Sequence, residues 1–391
     1  MAGGGHRRPP GSRVGDVFEL VRLGLAQTRG DIQDLTGLSR VTVAQRVNAL
    51  LDGGFLVEGG SRGSTGGRRP VELRVNVDHA RVLSAVVDTT HTRVALTNLV
   101  GDLQDDEQLD IAVDGGPDPV LQAIEESMRT ILRRRGLTTS DLAGVGISVP
   151  GPVDPRTNRP SEPPIMPGWD AYPVAEHLHD TFPVPVVVEN DANAMALGEH
   201  AAHYPDCPSV VLVKVSTGIG TGIVLDGEVY RGVDGGAGDI GHVRLVEHMD
   251  AVCRCGSHGC LAAVASGHAV AESLRAAGRE ARSGRDVRRL LDAGDLVAAH
   301  GVRTAGRLVG QVMATVVTML NPAVLVLGGD LATAPLLAGV RESLYPLTLP
   351  RATRNLDVRL SGLGTDSAVI GMAHAVAGRV YSPAAIEASL S

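Results

Sequence analysis

Three cysteines fall within eight residues, in the run Cys253-Arg254-Cys255-Gly256-Ser257-His258-Gly259-Cys260, and His242 stands eleven residues before the first of them. Three thiolates and one imidazole make a closed tetrahedral set, the structural form of Zn²⁺ coordination, with no position open for water. Gly256 and Gly259 permit the tight knuckle turns that bring such ligands together. The expected ligands are therefore His242, Cys253, Cys255 and Cys260, and the expected zinc is structural rather than catalytic. Three free buried cysteines are the alternative, against which the Cys-x-Cys pair, its glycines and the nearby histidine all speak. Cys207, alone before Pro208, stands outside the set.

A second stretch raises a different chemistry. In VLSAVVDTTHTRVALTNLVG, residues 82–101, an apolar strand ends at Asp88 and a new strand leaves at Val94. An acid at the end of a buried strand, followed by a tight loop, is a place to hold a phosphate or a metal. Such loops usually need glycine, because the backbone must come close to the ligand. Here the loop reads Asp88-Thr89-Thr90-His91-Thr92. The branched Thr90 and the bulky His91 obstruct that approach and resist positive φ. The loop reads as the remnant of a phosphate site, and no ATP is expected to bind.

The elements that position these residues follow from the pattern. Strands near 81–88, 92–100 and 107–113 precede a helix at about 118–135, the buried strand LAGVGISVPG, the strand VPVVVEN and the helix DANAMALGEHAA. The opening then recurs in SVVLVKVSTGIGTGIVLDGEVYRG: strand, turn, strand and a short third strand, now with Gly218, Gly220 and Gly222 at the turn. A glycine-rich hairpin alone is weak evidence, since many are only turns. Two related halves indicate an α/β, two-lobed, actin-like (ribonuclease H-like) body with its ligand in the cleft between. The expected lobes are about 80–190 with the helix 366–380, and about 191–365. LNPAVLVLGGDLA supplies a buried strand running into Gly328-Gly329, where backbone could pass an adenine or simply turn.

Ahead of the body, residues 14–77 have the pattern of a winged helix-turn-helix, and residues 1–13 read as a disordered lead-in. Val17, Leu20, Val21 and Leu25 have helical spacing. Thr28 is placed to cap a second helix and Ser39 a third, with Gly37 at the turn between them. Val43, Val47, Leu50 and Leu51 are expected to bury. Arg40, Thr42, Gln45 and Arg46 face away, on a recognition helix that reads base edges. Two strands then flank the loop GGSRGSTGGRR, a wing whose Arg62, Arg68 and Arg69 would meet phosphates or the minor groove. Residues 1–75 carry 11 Arg against 7 acids, a balance of +4; the remainder carries 25 Lys/Arg against 37 acids, a balance of −12. A basic front on an acidic body suits a polyanion partner.

The chain has 391 residues, 43% of them hydrophobic, enough for a large core. No apolar run approaches the ~18–20 residues of a membrane span, and the basic N-terminus is followed by no apolar segment, so neither a membrane nor secretion is expected. Clustered thiols fit a reducing cytoplasm. Lys214 is the only lysine, and the arginine-for-lysine skew reads as codon bias rather than function.

Taken together, SVPGPVD, ENDANAMALGE, STGIGTGIVLDGEVYRG, GGAGDIGHVRL, CRCGSHGCL and LNPAVLVLGG resemble the ROK family of bacterial sugar kinases and repressors, from about residue 14 to about 380. With the winged helix in front, the chain resembles the repressor branch. The resemblance implies that Asn190 and Asp191 bind sugar hydroxyls, Asp191 matching the base of the kinases. It implies further sugar contacts at Asp239, where the family has Glu, and at His242, also claimed by the metal. A second family Glu is Ala262 here. The first phosphate loop of the kinases, Asp-x-Gly-Gly-Thr, keeps only its Asp and Thr. The expected protein is a cytoplasmic, non-enzymatic regulator, a homodimer or homotetramer on a palindromic operator, answering to a sugar or sugar-derived effector. The alternatives are an ATP-dependent sugar kinase that also binds DNA, and a DNA-binding regulator without a ligand.

Overall fold

The computed structural model describes residues 13–22, 24–61 and 71–390, apart from the side chains of residues 60 and 61. Near the start, α1 (Val14–Arg22), α2 (Arg29–Thr36) and α3 (Arg40–Asp52) pack around Val17, Phe18, Ile32, Val43, Val47 and Leu50. The caps are those the sequence signals. Thr28 Oγ1 accepts the Asp31 N–H, Gly37 ends α2 at φ 68°, and Ser39 Oγ accepts the Thr42 N–H. Strands β1 (Leu56–Ser61) and β2 (Val71–Val75) pair antiparallel. The arginines expected on the wing, Arg62, Arg68 and Arg69, lie outside the described residues, as does most of the lead-in. Leu25 departs from expectation: α1 ends before it, and it is 61% exposed. Leu51 is half-buried against the core.

The first sheet of the body contains β3 (Arg81–Val87), β4 (Thr92–Thr97), β5 (Leu103–Leu109) and β6 (Leu142–Val149), with α4 (Pro117–Arg135) before β6. After a small hairpin of β7 (Val153–Asp154) and β8 (Arg159–Pro160) come α5 (Val174–Thr181) and β9 (Val186–Asn190). The sheet order is β5-β4-β3-β6-β9. Strand β5 starts earlier than the predicted 107–113. Its acids set this register, because Asp106 reaches Arg93 at 2.8 Å and Asp105 reaches Arg134 at 2.6 Å.

Helix α6 (Asp191–His203) leads to the second sheet, made of β10 (Ser209–Val215), β11 (Ile219–Leu225), β12 (Glu228–Val229), β13 (Val324–Gly328) and β14 (Asp357–Leu360). Its order, β12-β11-β10-β13-β14, repeats the first: an antiparallel triplet followed by two parallel additions. The repeat read from sequence is thus a repeat of topology. Between β12 and β13 lie α7 (Leu261–Ala265), α8 (Gly267–Ala276), α9 (Gly284–Asp292) and the long α10 (Leu296–Leu320); α11 (Ala334–Leu344) and α12 (Pro350–Thr353) follow β13. The chain closes with α13 (Ser367–Val380) and α14 (Pro383–Ser389).

Helices α6 and α13 cross where the two lobes meet. Added Cβ atoms would lie 1.9 Å from Ser367 O at Gly198 and 1.8 Å from Ala194 O at Gly371, so both glycines are needed for backbone to touch backbone. Helix α13 packs on β3 and β6, while α6 packs on β10 and β11. Helix α6 thus packs on the second sheet, as its place at the start of the second lobe implies, and meets α13 at the seam. The last helix, α14, was not foreseen: it packs on α1. No helix of the described residues is long and apolar enough to cross a membrane.

Candidate functional site

A cleft of about 370 Å³ opens between the lobes, lined by Asp88, Asn190, Asp191, Lys214, Asp239 and His242 among others. That volume suits a small ligand. The end of β3 delivers Asp88, the start of α6 delivers Asp191, and β10 delivers Lys214.

The two carboxylates meet on one ammonium. Lys214 Nζ donates to Asp88 Oδ2 at 2.8 Å and to Asp191 Oδ2 at 2.6 Å, and all three side chains are largely buried. The sheet makes room for this contact. The cross-strand neighbours of Lys214 are Gly220 on β11 and Gly328 on β13. Added Cβ atoms there would meet Ala192 Cβ at 3.4 Å and Met195 Cε at 2.7 Å, so the glycines let the first turn of α6 approach the lysine. Gly222 serves the same helix, with an added Cβ only 2.2 Å from Ala192 O. Of the hairpin glycines Gly218, Gly220 and Gly222, packing alone accounts for Gly222, while Gly218 and Gly220 line the cleft. Gly218, at the turn itself, faces open space. Gly329 is a true turn, with φ 88° against the end of β10, where the Asp330 N–H donates to Ser216 Oγ.

Burial alone would raise the pKa of Asp88. The charge and hydrogen bond of Lys214, with the His91 charge and the Thr89 N–H, outweigh it, and Asp88 stays ionised well below the usual carboxylate range. Burial also works against the Lys214 charge, but Asp191 and Asp88 hold the ammonium protonated. Asp191 is pushed up, first by burial and then by Asp88, against the pull of Lys214. Two like charges around one cation cannot both be held equally, and Asp191 is the member closer to taking a proton.

The Asp88–Thr92 loop closes as a tight hairpin, with the Asp88 N–H donating to His91 O and Asp88 Oδ1 accepting the Thr89 N–H. Neither Thr90 nor His91 takes positive φ. The loop thus makes no use of the left-handed conformation that glycine favours.

Asn190 lines the cleft but is mostly spent on structure. Its Oδ1 accepts the Ala192 and Asn193 N–H groups as the N-cap of α6, and its Nδ2 donates to Gly151 O. Glu189, which sequence reasoning passed over, holds this corner. It accepts from Asn193 Nδ2 and from Arg231 Nε at 2.8 Å. Its signal was available: a Glu at the end of a strand of valines needs a buried partner.

His242, Cys253, Cys255 and Cys260 come together, their ligand atoms all within 4.8 Å of one another. Cys253 Sγ lies 3.7 Å from His242 Nδ1, and Cys255 Sγ lies 3.8 Å from Cys260 Sγ. A tetrahedron with metal–sulfur bonds of ~2.3 Å has edges of about 3.8 Å. The set therefore fits a tetrahedral ion. Gly256 at φ 83° and Gly259 at φ 75° form the turns. His242 Nδ1 faces the thiols, while its Nε2 lies 3.8 Å from Asp239. Asp239, pushed up by burial, faces the cleft beside Ala262. Cys207 stands apart, bonded to Ser209 O.

On α3, Arg40 and Gln45 are exposed, while Thr42 and Arg46 are half-buried, so all four reach the surface. Arg29 ties α2 to the hairpin through Glu58 at 2.9 Å.

The ROK family model matches residues 86–379. A putative xylose repressor from Caldicellulosiruptor sp. (strain Rt8B.4) is 29% identical over 364 residues, covering 88% of this chain and 90% of that protein. A glucokinase from Halalkalibacterium halodurans is also 29% identical, over 302 residues, 73% of this chain and 91% of its own. The fold is matched by a ROK family transcriptional regulator, a homolog of the E. coli MLC protein, at a TM-score of 0.79 and 24% identity, over 96% of this chain and 98% of that one. Coverage of that extent takes in the N-terminal helices as well as the body. The repeated sheets, the cleft and the cysteine cluster fall within the matched span, and the chain belongs to the ROK family.

Proposed function

We propose that this chain is a transcriptional regulator, acting as a repressor, that binds operator DNA through residues 14–77 and a sugar or sugar-derived effector in the cleft of residues 80–391, without phosphoryl transfer. The observation that carries this reading is the continuity between the two units. Phe18 of α1, Leu50 of α3, Ala377 of α13, and Tyr381 and Ile386 beyond it share one apolar cluster. A DNA-binding unit that merely shared a chain with a sugar site would have no such core in common with it.

Arg40, Thr42, Gln45 and Arg46 would read base edges from α3, with Arg62, Arg68 and Arg69 on phosphates. Asn190, Asp191, Asp239 and His242 would meet the effector. His242, Cys253, Cys255 and Cys260 would hold structural Zn²⁺, which when bound clamps the 253–260 loop against the cleft. A palindromic operator and a homodimer or homotetramer go together, and a DNA partner places the protein in the cytoplasm. The lobes are about 80–190 with 366–380, and about 191–365, joined by α6.

The test is a DNA-binding titration of the zinc-loaded full chain on its selected operator, repeated over a panel of mono- and disaccharides. One sugar that shifts the operator affinity supports the reading. An affinity indifferent to every sugar removes the effector. The glucokinase relative favours a second reading, a kinase, and a coupled ADP-release assay over the same panel separates it. No turnover is expected, because the loop at Asp88–Thr92 offers phosphates no glycine cradle and phosphoryl transfer is mostly positioning.

A further inference from the structure

In a chain that otherwise uses arginine, the one lysine sits between two buried carboxylates in the cleft. Chemistry explains the exception. An ammonium is a compact point charge with three donors, whereas a guanidinium is a broad planar fork. Here the compact ammonium sits between two carboxylates delivered by different elements, beneath a helix that touches the sheet at Gly220 and Gly328. Two acids converging from a strand end and a helix start would, without that lysine, present hard oxygens to a divalent cation, which is commonly held by one or two carboxylates plus water or phosphate. Two cations cannot share the place. Asp330, across the β10 turn, adds a third acid that feels Asp88 and Lys214.

We propose that the Lys214 ammonium is a tethered counter-ion standing where Asp88 and Asp191 would otherwise hold a divalent cation, so that the cleft takes a neutral polyhydroxylated ligand with neither metal nor nucleotide. Two of its N–H groups are used on the carboxylates among the described residues; the third is left for a ligand oxygen. This deepens the regulatory reading and rests on it for the ligand class, whereas the role of the lysine is decided by metal binding alone.

The experiment is Mn²⁺ binding followed by electron paramagnetic resonance, on the zinc-loaded full chain, for wild type, Lys214→Ser, Lys214→Gln and Asp88→Asn. The wild type is expected to show no Mn²⁺ site that Asp88→Asn removes. Lys214→Ser is expected to bind Mn²⁺ roughly ten- to a hundredfold more tightly than the wild type, since it removes the ammonium that both carboxylates hold. Lys214→Gln, closer in volume, carries the same expectation if the serine variant does not fold. A wild-type Mn²⁺ site lost in Asp88→Asn overturns the proposal, as does a folded Lys214 variant that gains none. If neither variant folds, the wild-type comparison decides. A chain that gives the expected Mn²⁺ result yet ignores every sugar loses the effector reading and keeps the lysine's role.

Discussion

At the scale of single residues, the cleft is held by charge. Removing one partner from a buried ion pair leaves the other uncompensated, at about 3–5 kcal/mol. Lys214→Met leaves two carboxylates in that state, so its unfolding free energy at pH 7 should fall by roughly that amount, read by urea titration. The pH dependence follows from Asp88. Its pKa in the folded chain lies below the ordinary 3.8, so its stabilising share is present above that value and lost as the pH falls toward the native one. The stability gap between wild type and Asp88→Asn should therefore be full at neutral pH and close below about pH 3.8; a gap that widens in acid would contradict the ion pair. The metal cluster makes a separate prediction. A zinc chelator, or Cys255→Ser, should lower the melting temperature and release one ion per chain, because an ion that binds only the folded state stabilises it. A chain that melts identically after chelation has no structural metal at His242, Cys253, Cys255 and Cys260.

At the scale of elements, the seam between α6 and α13 is the tightest packing that the glycines mark. Gly371→Ala places a methyl 1.8 Å from Ala194 O with backbone on both sides. It should cost at least the 1–3 kcal/mol of ordinary overpacking. Gly218→Ala, whose methyl meets nothing within 4 Å, should change stability by about 0.5 kcal/mol or less. Equal effects of the two in urea unfolding would mean that the helices separate freely. The same contrast explains what was legible in the sequence. Caps at Thr28 and Ser39, the cysteine knuckle and the repeated strand triplet are local patterns, fixed within a few residues by hydrogen-bonding and ligand chemistry. Lys214 was passed over because its partners lie 126 and 23 residues away, and only the folded sheet brings them together. The glycines of STGIGTG were ambiguous for a related reason: spacing shows that a backbone must come close to something, not whether that is a ligand or a helix. Helix α14 is seven residues with one buried apolar side chain, Ile386, too few to show periodicity.

At the scale of the whole molecule, the site and the N-terminal helices are joined by short, stiff links. Asp191 opens α6, α6 touches α13 backbone to backbone through Gly198 and Gly371, and α13 runs to Tyr381, whose ring lies 5.9 Å from both Phe18 and Phe55. Beyond it, Ile386 of α14 is buried, and Glu387 accepts the N–H of Val14 at the first turn of α1. An effector that moved Asp191 would tilt α6, and α13 would carry the tilt, since rigid helices in contact transmit displacement rather than absorb it. Ile386→Asp puts a charge into the joint between α14 and α1 without touching the cleft or the outward face of α3. It should leave sugar binding intact by calorimetry, leave the folded N-terminal helices able to bind operator DNA, and abolish the change in operator affinity that sugar causes. Limited proteolysis supplies the physical check, with faster cleavage expected between α3 and β3 once the joint is loosened. A variant that still couples sugar to DNA with wild-type amplitude would show that the signal travels by a route other than α13.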